Sequence, residues 1–280
     1  MMTVHERKIA ITAGERLLAG TVIMPGALMP GALFVHGWGG SRQQYLARAR
    51  EIAALGSVCL AFDLGGHAET VRERETVSRE SNLADVVAAY DMLAAHPQVD
   101  SARVAVIGSS YGGYLAAILT TLRPARWLAL RAPALYRDAG WGHPKMQLHR
   151  EQNLEEYRRS VRSRDSNRAL HACSEFKGDV LIVASEHDDR IPRAVITSYR
   201  EACTAASSLT YRCMAGADHG LTTDDCQQAY TALLMQWLAE MWPDARRGSD
   251  AAAVKAAISD ASAQATAADR EPEAPPAVLT

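Results

Sequence analysis

The fold is decided by Val104-Ala105-Val106-Ile107-Gly108-Ser109-Ser110-Tyr111-Gly112-Gly113. Four apolar residues end on a glycine, and a helical pattern then runs from Ser110 to about Leu122. That is a short buried strand turning sharply into a helix. Gly108 to Gly112 fits G-x-S-x-G with Ser110 at its centre, and the strand-turn-helix setting is where this pattern carries chemistry. The turn forces the central serine into a strained backbone, and the glycines avoid collision with neighbouring elements. The hydroxyl is then held at the sheet edge, with a helix N-terminus directing its positive end at a developing oxyanion. Ser110 is the expected nucleophile; the competing reading is a glycine-rich turn.

Outward from this stretch, apolar runs predict strands at 8–12, 17–24, 32–35, 57–62, 104–107, 127–130, 181–184 and 209–214. Helical spacing predicts helices at 42–55, 82–93, 110–122, 192–205 and 226–241. Short, wholly apolar strands alternating with helices indicate an α/β protein whose mostly parallel, eight-stranded sheet is covered on both faces. The first two strands, separated by Ala13-Gly14-Glu15, read as a hairpin forming an antiparallel edge. The segment 133–175 has no clear strand and is expected to be either a small helical cap over the sheet or a surface excursion. One domain is expected over 1–244, followed by an alanine- and proline-rich, flexible tail over 245–280.

A serine hydroxyl needs a base to act as a nucleophile at neutral pH. Among nine histidines, His219 in Ala215-Gly216-Ala217-Asp218-His219-Gly220-Leu221 follows the last strand, so its loop reaches the same edge as Ser110. His5 is terminal, His96 ends a helix, and His143, His149 and His171 fall in the irregular segment. The imidazole needs an anchoring carboxylate, and Ser185-Glu186-His187-Asp188-Asp189-Arg190-Ile191-Pro192 supplies one after the preceding strand. Asp188 is the first choice, ahead of Asp189 and Glu186. His36-Gly37-Trp38-Gly39-Gly40-Ser41 also follows a strand. Its glycines admit a ligand close to the backbone, and the N–H groups of Trp38 and Tyr111 are expected to form an oxyanion hole. His36 reads as structural. Trp141 is a candidate for the wall of an acyl pocket, or for cap core.

The charge balance excludes other classes. The 280 residues hold 30 Lys+Arg against 32 Asp+Glu, a net charge of -2, which leaves no electrostatic footprint for nucleic acid. With 22% charged residues in the chain, no membrane insertion is expected. No set of four zinc-like ligands and no GxxxxGK[ST] loop occurs, so neither a metal nor a phosphate site is predicted. Charged residues at 5–8 stand where a signal peptide needs its apolar run, and five cysteines lack CxxC spacing. Both features predict a cytoplasmic protein with reduced thiols. The sequence leaves the oligomeric state open.

HGWGG, GSSYGG, EHDDRIP and GADHGL, in that order, resemble the α/β-hydrolase superfamily over about residues 6–242. The resemblance is to its serine esterase and serine aminopeptidase-like branches. It implies Ser110 as nucleophile, Asp188 as acid, His219 as base and Trp38 and Tyr111 as oxyanion donors. The stretch 61–67 is similar to the D-x-R-G-H-G loop of esterase branches but lacks its Arg and final Gly, so no role passes to His67. Dienelactone hydrolases look similar in scaffold but use Cys where Ser110 stands; epoxide hydrolases and haloalkane dehalogenases use Asp. The implied activity is hydrolysis of small-molecule carboxylic esters through an acyl-enzyme, without a cofactor. Two alternatives remain. One is a peptidase or amidase, because prolyl-oligopeptidase branches share GxSYGG-like elbows. The other is a ligand-binding protein that keeps the scaffold without turnover.

Overall fold

The computed structural model describes residues 4–13 and 16–25, as backbone, and residues 28–242 with their side chains. The stretch 245–280 lies outside the described residues. Eight strands form: β1 Val4–Ala13, β2 Arg16–Pro25, β3 Met29–Val35, β4 Val58–Ala61, β5 Val99–Ser109, β6 Trp127–Arg131, β7 Asp179–His187 and β8 Ser208–Asp218. They do not make one sheet. β3 to β8 form a six-stranded parallel sheet in the order β4-β3-β5-β6-β7-β8, while β1 and β2 pair only with each other. The expected eight-stranded sheet with an antiparallel edge is corrected to six plus a separate hairpin. β1 and β2 find their ladder partners in each other over their full length, from Val4↔Pro25 to Ala13↔Arg16.

The uninterrupted apolar strands have a simple cause: alternate residues enter two different cores. Leu33 and Val35 of β3, Val104 and Val106 of β5, and Val180 and Ile182 of β7 face one core. Ala32 and Phe34, Ala105 and Ile107, and Leu181 and Val183 face the other. The first core is closed by α2 (Arg79–Ala94), α3 (Tyr111–Leu119), α6 (Arg168–Glu175) and α7 (Arg193–Ala202). The second is closed by α1 (Leu46–Ala54) and α8 (Asp224–Met241), with Trp237 and Trp242 deep inside.

The segment between β6 and β7 contains α4 (Lys145–Glu151), α5 (Leu154–Arg158), a 3-10 turn and α6. α6 packs on α3 and α7 and so belongs to the sheet's covering layer. From β3 the chain moves outward to β4, then returns across β3 to β5 and proceeds to β8. This reversal between β3 and β5 opens a crevice at their carboxyl ends, the place where open α/β sheets bind ligands. The loops after β3, β5, β7 and β8 all emerge there.

Candidate active site

Ser110 sits at the turn between β5 and α3 with φ 53° and ψ -115°. A non-glycine residue pays strain for that conformation. Three hydrogen bonds hold it: Ser110 N–H donates to the Arg131 carbonyl (2.9 Å), and its own carbonyl accepts from Ala134 (3.0 Å) and Tyr114 (3.1 Å). The flanking glycines are required by contact. A Cβ on Gly108 would stand 2.5 Å from the Gly112 carbonyl oxygen, and one on Gly112 would stand 2.2 Å from that of Val35. The turn is therefore tight because strand β3, helix α3 and the elbow touch backbone to backbone.

His219 Nε2 lies 3.1 Å from Ser110 Oγ, and His219 Nδ1 lies 2.9 Å from both carboxylate oxygens of Asp188. With Nδ1 donating to Asp188, Nε2 accepts from the serine hydroxyl. The Asp188 carboxylate also accepts the N–H groups of Arg190 (2.9 Å) and Ile191 (2.8 Å), which folds the loop before α7 into an Asx turn. Burial opposes its charge most strongly. The His219 hydrogen bond and charge and the two backbone donors together outweigh burial and hold Asp188 below the usual carboxylate range. The other two acids go elsewhere. Glu186 accepts the Gly216 N–H at 2.8 Å, and Asp189 is exposed.

The residue that sequence reasoning missed is Arg131. Buried at the end of β6, it donates to Ser109 Oγ (3.0 Å), Ser185 Oγ (3.2 Å), the Asp218 carbonyl (3.2 Å) and the His219 carbonyl. One side chain thus ties the elbow, the β7 terminus and the histidine loop together. Its signal was available: a charged residue ending a buried parallel strand stands at the ligand edge of the sheet.

Gly37 runs past the nucleophile, and a Cβ there would lie 3.3 Å from that of Ser110. His36 has the structural role expected of it. Its Nδ1 donates to the Gly37 carbonyl (2.8 Å) and its Nε2 accepts the Leu64 N–H (3.0 Å). Burial pushes its pKa down, which suits a neutral ring. The Trp38 ring meets His67 and Tyr111 edge to face, with centroids at 4.6 and 5.6 Å. His67 is therefore packing support for the Trp38 loop. The backbone N–H groups of Trp38 and Tyr111 donate to no described residue. Both residues border the crevice, Tyr111 as the first residue of α3.

A cavity of ≈ 460 Å³ opens over Ser110 and His219. Its far wall comes from the β6–β7 segment: Tyr136, Lys145, Met146, His149 and Arg158. Trp141, a candidate for the acyl-pocket wall or for cap core, does not line the cavity. It stacks on Tyr114 (6.0 Å, 20°) with the Arg168 guanidinium 4.2 Å from its ring, so it is core of this wall. Lys145, also unforeseen, is buried with its Nζ 3.8 Å from the Trp38 ring centroid. Burial first, then the charges of Arg158, Arg79 and Arg74, push its pKa down to about 7.

Known proteins resemble this chain in sequence and in fold. An uncharacterized protein of Mycobacterium tuberculosis (strain H37Rv) is 29% identical over 196 residues, 69% of this chain. That alignment spans 64% of the relative's length, under two thirds of it. One of two metagenome-derived lipolytic enzymes superposes with a TM-score of 0.57 at 18% identity, covering 76% of this chain and 96% of that one. Pyrococcus horikoshii acylaminoacyl peptidase superposes with a TM-score of 0.56 at 17% identity, covering 86% of this chain and 41% of its own. At these identities the likeness is one of fold, the α/β-hydrolase fold. The profile of the prolyl oligopeptidase family matches residues 44–244, a span that runs from the Trp38 loop's following turn through the elbow, the acid and the histidine. On that match over most of its length, the chain belongs to the prolyl oligopeptidase family.

Proposed function

We propose that the protein is a serine hydrolase that cleaves carboxylic esters of small to medium size through an acyl-enzyme. The observation that carries this reading is the continuous relay from Ser110 Oγ to His219 Nε2 (3.1 Å) and from Nδ1 to Asp188 (2.9 Å). His219 takes the Ser110 proton as the oxygen attacks the carbonyl carbon. Asp188 fixes the tautomer and stabilises the imidazolium. The Trp38 and Tyr111 N–H groups receive the oxyanion, and the α3 N-terminus adds its dipole. His219 returns its proton to the departing alcohol, then activates water to release the acid. No cofactor enters these steps. We read α4 and α5 as a small cap that shapes the acyl pocket. The five cysteines are free thiols, which supports a cytoplasmic setting.

Family membership favours a second reading, amide or peptide hydrolysis by the same relay. What supports the ester over an aminopeptidase is the cavity wall. No aspartate or glutamate lines it among the described residues, so nothing there anchors a peptide ammonium. Turnover of a short p-nitrophenyl ester against an aminoacyl anilide separates the two. The ester reading requires the larger kcat/KM for the ester, and anilide preference overturns it. Failure of a fluorophosphonate to label the folded protein supports a ligand-binding protein instead.

A further inference from the structure

The cavity has a marked charge imbalance. Five cationic side chains line it, Arg48, Arg131, Lys145, Arg158 and Arg190, and no carboxylate does among the described residues. Among the described residues none of the five takes part in an ion pair, although the same chain pairs Arg42 with Asp63, Arg123 with Asp91 and Arg126 with Asp179.

Two of these cations have their donors in use. Arg131 spends its terminal nitrogens on Ser109, Ser185 and the histidine loop. Arg48 donates to Thr231 (3.1 Å) and Gln227 (2.9 Å) and lies 4.5 Å from the Tyr230 ring centroid. Arg190 is exposed. Lys145 and Arg158 differ. The Lys145 ammonium is caged by the rings of Trp38, Tyr111 and Tyr136 at 3.8, 4.9 and 5.2 Å, and its three N–H donors meet no described acceptor. Arg158 donates Nε to the Leu135 carbonyl (2.9 Å), and its guanidinium lies beside Tyr136, 4.9 Å from the ring centroid and within reach of the phenol oxygen. Burying an ammonium beside other cations is costly unless something of opposite sign comes to it.

We propose that the substrate carries an anionic group, a carboxylate or a phosphate, and that Lys145 and Arg158 bind it at the cap-side wall of the cavity. Lys145 supplies a point charge on the Trp38 face, and Arg158 supplies a planar pair of donors suited to two oxygens. The anion cancels the repulsion between the two cations, so charge recognition and seating of the ester are one event. This deepens the ester-hydrolase reading and rests on it for the identity of the reacting group.

The groups that face Lys145 are Arg74, Arg79 from α2, Arg158 from α5, His149 from its own helix, and the phenols of Tyr111 and Tyr136. Both phenols are pushed above their ordinary range, chiefly by burial. Burial and the charges of Lys145 and Arg158 hold His149 down, toward its neutral form. Lys145 is therefore the group whose charge is lost as pH rises past about 7, and anion affinity falls with it.

The test is equilibrium binding to the full-length Ser110→Ala protein, by calorimetry, of monomethyl glutarate, dimethyl glutarate and a methyl ester bearing a terminal phosphate. At about pH 6 at least one anionic ester binds at least about tenfold tighter than the neutral diester. Whichever of the two binds better identifies the anion. Adding Lys145→Met and Arg158→Met removes the preference. Lys145→Arg keeps it and abolishes its decline above about pH 7. Equal or tighter binding of the neutral diester overturns the proposal, as does no detectable binding of either anionic ester. So does a preference that survives the double substitution. The ligand comparison alone decides the matter if that variant fails to fold. Because no turnover is involved, failure of the hydrolase reading shows separately, as wild-type protein that neither cleaves esters nor takes a fluorophosphonate.

Discussion

Replacing Ser110 by glycine separates its chemistry from its strain. The residue holds φ 53°, where a side chain costs about 1–3 kcal/mol and glycine does not. Ser110→Gly and Ser110→Ala both lose turnover, but the glycine variant is expected to be about 1 kcal/mol more stable than the alanine variant by urea unfolding. Equal stability contradicts the strain. Lys145 makes a second prediction with a definite sign. Its folded pKa of about 7 lies below the ordinary 10.5, so between those values the unfolded chain holds more protons and stability rises with pH. From about pH 7 to pH 9 the wild type gains roughly 1–2 kcal/mol relative to Lys145→Met. A pH-independent difference between them contradicts the burial of a titrating ammonium. Ser110, Asp188 and His219 were legible in the sequence because the elbow and the acid and histidine loops each carry a local pattern after a strand. Lys145 was not. It lies on a seven-residue helix in a stretch without periodicity, and only the fold brings it to Trp38.

At the scale of elements, the site is a meeting of strand ends, and Arg131 joins three of them. Its planar fork reaches Ser109, Ser185 and the carbonyls of Asp218 and His219, which a lysine cannot span. Arg131→Lys is expected to lower kcat about 10–100-fold, a loss typical of misplaced catalytic groups, with ester KM changed little. A loss confined to KM contradicts a positioning role. The strands were legible where alternate residues fill two cores, as Val104 and Val106 do against Ala105 and Ile107. The hairpin was legible as a hairpin, but not its separation from the sheet. Apolar alternation marks a strand but not its partner, and β1 and β2 take each other as partners only in the folded chain. The cavity wall formed by the β6–β7 segment was illegible in detail because Trp141 and Lys145 sit in one irregular stretch. There, sequence gives composition but not which aromatic faces the cavity.

The molecule as a whole depends on one sheet serving two cores. Every central strand contributes to both, so neither core melts alone. Leu234→Ala in α8, at the heart of the second core, is expected to cost about 2–5 kcal/mol and to leave a single cooperative transition, followed by near-UV circular dichroism and tryptophan fluorescence together. Two separated transitions contradict the shared sheet. The same rigidity lets loops from three strand ends, those of β5, β7 and β8, hold a hydroxyl, an imidazole and a carboxylate in register. The most direct measurement is the site and rate of fluorophosphonate labelling, read by mass spectrometry of the intact and digested protein. One adduct on Ser110 is expected, absent in Ser110→Ala and slowed at least about a hundredfold in His219→Ala. An adduct on any other residue, or ester turnover that persists undiminished in Ser110→Ala, contradicts the account.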